Sequence, residues 1–555
     1  MRLASPPTVE PGPGGALARL TSRGHEAPVA LLLSAALVWI AQFHHFREFG
    51  LYEDDYFFIS EAMGKDPSYL LSRFETAFTR LPQGRPFGFF LPDLLSFIGD
   101  KVGGLPAIYL LGFLVVTLNT FLCYRLLRVR VPVGAAAMGA AVFCLFPADT
   151  TKTLLTHDFQ LQPSLTFALL SALAYAAGRR WLAYIVAAGA LLSYESGFLS
   201  LFALPLLVCH WDRRMLRELA RHAAVLAAVV VGAVTLRYAL GEGRATTSVG
   251  SVGDIVPPLI GSLVLGPARS LAGMFYGPAR TVPTWDIEAL MAALLVAVGF
   301  AVLLAATYRD GREGARREGV EVAVAGAVML VLGYGLAFTH FPPNALVGRG
   351  TSVHLGATLG MSTLAAGLAW LILSMTPRLG IAMLAGYVAL ASAYYVTIGR
   401  DFIHSWQLQR EFWQQVAACC SDLRDDTVLI YELSSSEEPT FIFANSWADA
   451  LVLRETFVFP GTWSNPPRLF SLTNDWGGRV QRDGQGLRWL VPAASWDEHW
   501  EALPQGNLIL LRRGPDGALA RVTGTVDVAG LPLRLKPPEP PTAWPPAQLY
   551  DALLR

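Results

Sequence analysis

Tyr52-Glu53-Asp54-Asp55-Tyr56-Phe57-Phe58 sets three acids side by side among aromatic residues, directly after the first long apolar run. Charge beside a bilayer is costly, and aromatic residues there anchor the backbone at headgroup depth. Adjacent carboxylates so held repel each other and lose hydration. Both effects raise a pKa towards the range useful to a general base. A divalent cation, Mg2+ or Mn2+, relieves the same repulsion, with Asp54 and Asp55 as its ligands. The ordinary alternative is a solvated acidic loop past a helix end, and the flanking aromatics argue against it.

Other candidates are scattered along the chain. Arg85 either faces headgroups, orders the acids, or grips a phosphate through two parallel hydrogen bonds. Lys152 and the His157-Asp158 pair are residues of a solvated loop or members of a phosphate or acceptor site. Glu195 interrupts the apolar stretch Leu191 to Leu199, so it either caps a helix or serves a site. His340 precedes Gly348-Arg349-Gly350-Thr351-Ser352, where two glycines open the backbone beside a guanidinium just before an apolar run. Helix N-termini favour anions, so Arg349 suits a phosphate leaving group. The plain reading of both residues is interfacial.

The elements that must position these residues are helices in a membrane. Of 555 residues, 53% are hydrophobic and 15% charged, and mean hydropathy is +0.41. Soluble domains carry about 25% charged residues. Apolar runs long enough to cross a bilayer recur, which predicts a multi-pass α-helical membrane protein. Net charge is zero, so no basic surface points to nucleic acid. The five cysteines have neither zinc spacing nor a disulfide framework.

Arginines orient the chain. Arg125, Arg128 and Arg130, then Arg179 and Arg180, Arg213 to Arg221, Arg309 to Arg317, and Arg378 each follow an apolar run. Taking these loops as cytoplasmic gives eleven spans, near 28–46, 105–127, 131–147, 161–177, 182–194, 197–210, 223–240, 287–306, 320–338, 353–374 and 380–397. Residues 1–27 are then a disordered cytoplasmic tail, 28–398 a transmembrane domain, and 399–555 an extracytoplasmic soluble domain. Outer segments are 47–104, which holds the acids, and a Gly/Pro-rich stretch over 241–285. The pair around Ser193 to Phe198 reads equally as one broken helix. In the last domain Phe402, Trp406, Trp413, Val416, Cys420 and Leu423 recur at helical spacing, and 427–431 and 507–511 read as buried strands. That predicts an α/β or α+β fold.

Every candidate above falls on the outer side of this arrangement, and the span centres are almost free of charge. A proton or ion transporter needs acids near the midplane. An acidic pair with aromatics in a long first outer loop resembles the GT-C superfamily of membrane glycosyltransferases, bacterial and mannosyltransferase-like members included. Asp54-Asp55-Tyr56-Phe57 is similar to their Asp-acid motif, Gly84-Arg85-Pro86-Phe87 to a Gly-Arg-Pro segment, and Tyr194-Glu195-Ser196-Gly197 to a further segment. The resemblance covers about residues 28–398 and implies an inverting glycosyltransferase in the cell (inner) membrane. It implies a polyprenyl-phosphate sugar donor, a glycan, lipid or protein acceptor, membrane lipids as surroundings, and Asp54 as the catalytic carboxylate. Asp55 stands where many members have Glu.

Rival readings are a polymerase or ligase acting on polyprenyl-diphosphate glycans, a lipid flippase or transporter, and a sensor working through its last domain. The topology is directly testable. A reporter active only outside the cytoplasm, fused after Arg400, is expected to be active; cytoplasmic activity would invert the whole arrangement.

Overall fold

The computed structural model describes residues 25–240, 252–308, 315–336, 348–433, 450–473, 476–483, 486–491, 499–514, 517–528 and 530–555. The expected N-terminal tail, but for its last residues, and His340 lie outside them. Helix α1 (Glu26–Val38) runs into a π-helical turn, Trp39–Phe43. Two helices follow, α2 (Asp55–Phe58) and α3 (Pro67–Arg80). Then come α4 (Pro86–Leu127), α5 (Val133–Cys144) and α6 (Gln162–Ala176), the last entered through a π-helical turn at His157–Leu161. Next are α7 (Arg180–Ser193), a 3-10 turn Phe198–Ala203 with α8 (Leu204–Val208), α9 (Arg213–Ala239), α10 (Val252–Thr281) and α11 (Ile287–Thr307). The bundle closes with α12 (Ala315–Leu332), a 3-10 stretch Arg349–Ala357, α13 (Thr358–Met375) and α14 (Pro377–Cys419).

Among the described residues, seven helices are long and apolar enough to cross a membrane, and all but the stretch Val256–Thr284 coincide with expected spans. That exception corrects the reading of 241–285 as a simple outer segment. Its prolines at 257, 258, 267 and 278 sit inside a helix whose Val256, Ile260, Val264 and Phe275 face outward. The spans expected near 131–147, 161–177, 182–194, 197–210 and 320–338 are not among the seven, so the expected eleven are not reached among the described residues. Within α4, the part after Gly103-Gly104 matches the span expected near 105, and a further helical part precedes it from Pro86. Proline fits the first helical position because its missing N–H has no partner there anyway. The helix kinks at Gly103-Gly104, where Gly104 has φ 65°. The chain around Ser193 to Phe198 does break: Tyr194 is extended and Gly197 takes φ 83°.

At the arginine-rich ends, Arg128 pairs with Glu26 at 2.6 Å, and Arg130 with Glu321. α12 and α13 pack backbone to backbone. A Cβ on Gly326 would meet Leu364 N at 2.2 Å, one on Gly360 would meet Leu330 N at 2.2 Å, and one on Gly367 would meet Ala323 N at 2.4 Å. Small residues allow this close approach where no hydrophobic effect drives helices together.

With 43 residues, α14 is roughly 64 Å long, about twice a bilayer's hydrocarbon core. Its second half therefore stands clear of the membrane, and there Trp406, Gln409, Phe412, Trp413 and Val416 are buried. Phe412 packs edge-on against Tyr431, 5.1 Å between centroids, at the centre of a four-stranded sheet. That sheet has the order β2 (Arg468–Thr473), β1 (Val428–Leu433), β6 (Leu508–Arg513), β7 (Leu519–Val522). β1 is parallel to both β2 and β6, and β6 antiparallel to β7. Strands buried on both faces read as continuous apolar runs, which is how β1 and β6 stood out in the sequence. A hairpin sheet of β3 (Val480–Asp483), β4 (Gly486–Leu490) and β5 (Trp500–Ala502) and the pair β8 (Thr525–Val528)–β9 (Leu531–Arg534) complete the region.

The helix packing makes a signed prediction. Ala favours a helix over Gly by up to about 1 kcal/mol. Gly386 faces open space, so Gly386→Ala should hold or raise the melting temperature in detergent. Gly360→Ala should lower it by several degrees, because overpacking costs roughly 1–3 kcal/mol. Equal effects would remove the close α12–α13 contact.

Candidate functional site

Asp55 is wholly buried and accepts three hydrogen bonds. Thr156 donates its backbone N–H at 2.7 Å and its hydroxyl at 2.5 Å to Oδ1, and Tyr52 N donates to Oδ2 at 3.2 Å. Burial still pushes its carboxyl up to about 6, against these donors and with the help of Asp54. Oδ1 thus crosslinks two segments 101 positions apart, while Oδ2 is held within its own segment. An Mg2+ or Mn2+ ion shared by Asp54 and Asp55 would compete with the Thr156 donors at Oδ1, while Oδ2 accepts only the longer Tyr52 bond.

Asp54, 9% exposed, stands one residue nearer the surface, at the N-cap of α2. Glu53 before it takes φ 52°, a conformation that costs a non-glycine residue of order 1 kcal/mol. Asp54 is therefore fixed on both sides: by a left-handed backbone before it and by a crosslinked neighbour after it. Tyr56 donates to Gln409 Oε1 at 2.7 Å and Tyr52 to Phe402 O at 2.9 Å, both on the second half of α14. Trp406 lies over Gly50, where any side chain would collide with the indole.

The segment supplying Thr156 corrects the solvated reading of Lys152, His157 and Asp158, for all of 145–158 is buried. Lys152 donates to Phe143 O at 2.6 Å and Cys144 O at 3.0 Å, the last carbonyls of α5. It neutralises a helix C-terminus. Burial pushes its pKa down to about 8 although Asp149 pulls the other way. His157 Nε2 lies 3.0 Å from Asp149 Oδ2, and Asp149 Oδ1 accepts from Thr151 N and Oγ1. Burial alone would raise Asp149, but His157, Lys152 and the Thr151 hydroxyl outweigh it and hold the carboxyl well below the usual range. Asp158 is different. It is wholly buried, and among the described residues neither carboxyl oxygen has a hydrogen-bond partner. Burial and the nearby Asp55 and Asp149 push it well above the ordinary carboxylate range. Gly112 faces it, and a Cβ there would come within 2.5 Å of Oδ2.

Arg85 and Glu195, 110 positions apart, form a two-bonded pair: Nε to Oε2 at 2.7 Å and Nη2 to Oε1 at 2.5 Å. Arg85 is 4% exposed and lies 4.1 Å over the Tyr194 ring. Arg237 reaches the same carboxylate at 3.5 Å. The acidic stretch and this pair meet through the start of α4. Phe58 packs on Phe89 at 5.4 Å, and Gly88 fits between Ser193 O and Gln160.

Arg349 opens the 3-10 stretch Arg349–Ala357, and its side chain lies outside the described residues. The stretch itself touches both clusters. Thr351 Oγ1 accepts from Thr150 N at 3.0 Å, and Gly356 backs directly onto Gly197, two residues from Glu195. Sequence reasoning missed Asp149, Thr156 and Gln409; polar residues in an unremarkable loop or on an amphipathic helix carry no spacing signal.

No family model matches the chain, and no curated protein matches it. Among solved structures it is similar to ArnT from Cupriavidus metallidurans in the apo state. Identity is 16% over 76% of this chain and 84% of that one, with a TM-score of 0.29. A superposition that loose carries no inference about fold or activity.

Removing one member of a buried ion pair strands its partner, at about 3–5 kcal/mol. Arg85→Gln should approach that loss, lessened by Arg237. Adding Glu195→Gln should recover most of it. A double-mutant cycle in detergent-melting measurements tests this; strictly additive losses would mean that the two side chains are not coupled.

Proposed function

We propose that the chain is an inverting glycosyltransferase of the GT-C type, moving a sugar from a polyprenyl phosphate to a cell-envelope acceptor at the outer membrane boundary. The observation that carries this reading is the setting of Asp54. It is a nearly buried carboxylate pinned between Glu53 and the crosslinked Asp55, within a continuous outer cluster of polar groups. Preorganisation of that kind lets a base act without reorganising at the moment of reaction.

In this reading the acceptor hydroxyl gives its proton to Asp54 as its oxygen attacks the anomeric carbon. The bond from that carbon to the phosphate oxygen breaks, the configuration inverts, and the polyprenyl phosphate leaves with the electron pair. Asp55 positions Asp54 and does not touch the reacting atoms. Arg85 orders Glu195 and the start of α4, because its donors are already engaged. Lys152 is a helix cap and drops out of the phosphate site. Arg349, after Gly348 at the start of its 3-10 stretch, remains the cation assigned to the leaving phosphate. No step passes through a divalent cation.

Asp54→Asn keeps size and hydrogen bonding but removes the base. A general base contributes about 10²–10⁴-fold. The variant should insert normally, retain donor binding, and lose transfer of label from polyprenyl-phosphate sugar by at least about a hundredfold. Near-normal transfer at matched protein levels would end this assignment, and the transporter reading would then lead.

A further inference from the structure

Away from the acidic stretch, two imidazoles and a carboxylate meet where the first helix ends. His44 Nε2 lies 2.9 Å from Glu288 Oε1, and His45 Nε2 lies 2.8 Å from the same oxygen. The candidate ligand atoms of the three residues all fall within 4.8 Å of one another. We infer that His44, His45 and Glu288 form a site for a divalent transition-metal ion of the Zn2+ class.

The geometry is poor for the protein alone. One carboxylate oxygen faces two ring nitrogens. His45 Nε2 is off the line of a hydrogen bond to it and has no other partner among the described residues. A metal ion between them replaces that strained contact with bonds of about 2.0–2.2 Å, which set tetrahedral ligands roughly 3.3 Å apart. A small opening of the cluster reaches this spacing. The ligand types suit zinc-class ions, since imidazole with carboxylate is a borderline set and the hard ions Mg2+ and Ca2+ prefer oxygen alone.

Two further features resemble a prepared site. His45 Nδ1 lies 2.6 Å from Glu48 Oε1, the outer carboxylate that fixes a metal-binding imidazole's orientation and tautomer. The π-helical turn Trp39–Phe43, closed by His44 N to Trp39 O at 3.0 Å, ends where two consecutive histidines turn towards one acid. Glu288 sits in the first turn of α11. Its neighbour Asp286 caps that helix through Ala289 N at 3.0 Å and pairs with Arg400, so it leaves Glu288 to the histidines. The ring and carboxylate exposures, 23%, 21% and 36%, leave an ion a way in.

An ion here joins the end of the first span to α11, which packs on α14, only ten positions before Asp54. Its role is a clamp, independent of whether the acidic stretch transfers sugar. The test uses the full chain in detergent, stripped with chelator and titrated with Zn2+ and Co2+. One equivalent should bind, Co2+ should give tetrahedral visible absorption, and Zn2+ should raise the melting temperature. His45→Gln and Glu288→Gln should each weaken Zn2+ binding at least about tenfold and abolish the melting shift, as loss of a ligand does. Asp54→Asn should bind the ion as the unaltered chain does. Substoichiometric Zn2+ binding, or unchanged binding by both Gln variants, overturns the site. If either variant fails to fold, His44→Gln and the Co2+ spectrum of the unaltered chain decide it, an octahedral spectrum being a negative result.

Discussion

The hydrogen bonds that Asp55 accepts from Thr156 and Tyr52 hold the acidic stretch in place. The two from Thr156 tie the start of α2 to the helical turn that leads into α6, and the one from Tyr52 fixes Asp55 within its own segment. A loop that buries its backbone must find partners for every polar group, or lose about 1–3 kcal/mol for each one stranded. The 145–158 segment largely does this with its own residues. Lys152 caps α5, Thr151 and His157 satisfy Asp149, and Tyr395 of α14 donates to the carbonyls of Phe146 and Asp149. Once that platform is rigid, Asp55 is rigid, and Asp54 follows from the chain's covalent geometry.

The helix α14 extends this constraint outward. It carries Tyr395 at the platform, Phe402, Trp406 and Gln409 against the acidic stretch, and Phe412 against the central strand β1. One continuous helix thereby sets the distance between the membrane bundle and the outer sheet. The sheet region bears on the acidic stretch through these contacts.

What was legible in the sequence followed from periodicity and polarity. The long apolar helices, the amphipathic start of the outer region, and strands β1 and β6 all show as apolar runs or helical spacing. The coming together of Arg85 and Glu195 was foreshadowed only by the expectation that both lie on one side of the membrane. Their direct pairing is a tertiary fact, since no local pattern links positions 110 apart. α10 was hidden by its prolines, which usually end helices in water but are tolerated in membrane helices. The loop at 145–158 misled for a related reason. Thr, Asp, Lys and His in a short connection ordinarily mean solvent, and only the surrounding packing reveals that they satisfy one another instead.

Asp158 is the exception within that self-satisfied platform. Its carboxyl has no hydrogen-bond partner among the described residues, yet it sits beside Asp55 and faces a glycine rather than a filled side chain. A structural role would favour a smaller or apolar residue, since the group contributes no bond to offset its desolvation. Burial and the neighbouring carboxylates push this carboxyl well above its ordinary range, and a protonated acid can donate a hydrogen bond where an ionised one cannot. Buried, strongly perturbed carboxyls gather at functional sites more than elsewhere. In Asp158, among the described residues, burial goes without a hydrogen bond to offset it, whereas the burial of Asp55 is offset by the Thr156 donors that hold the frame.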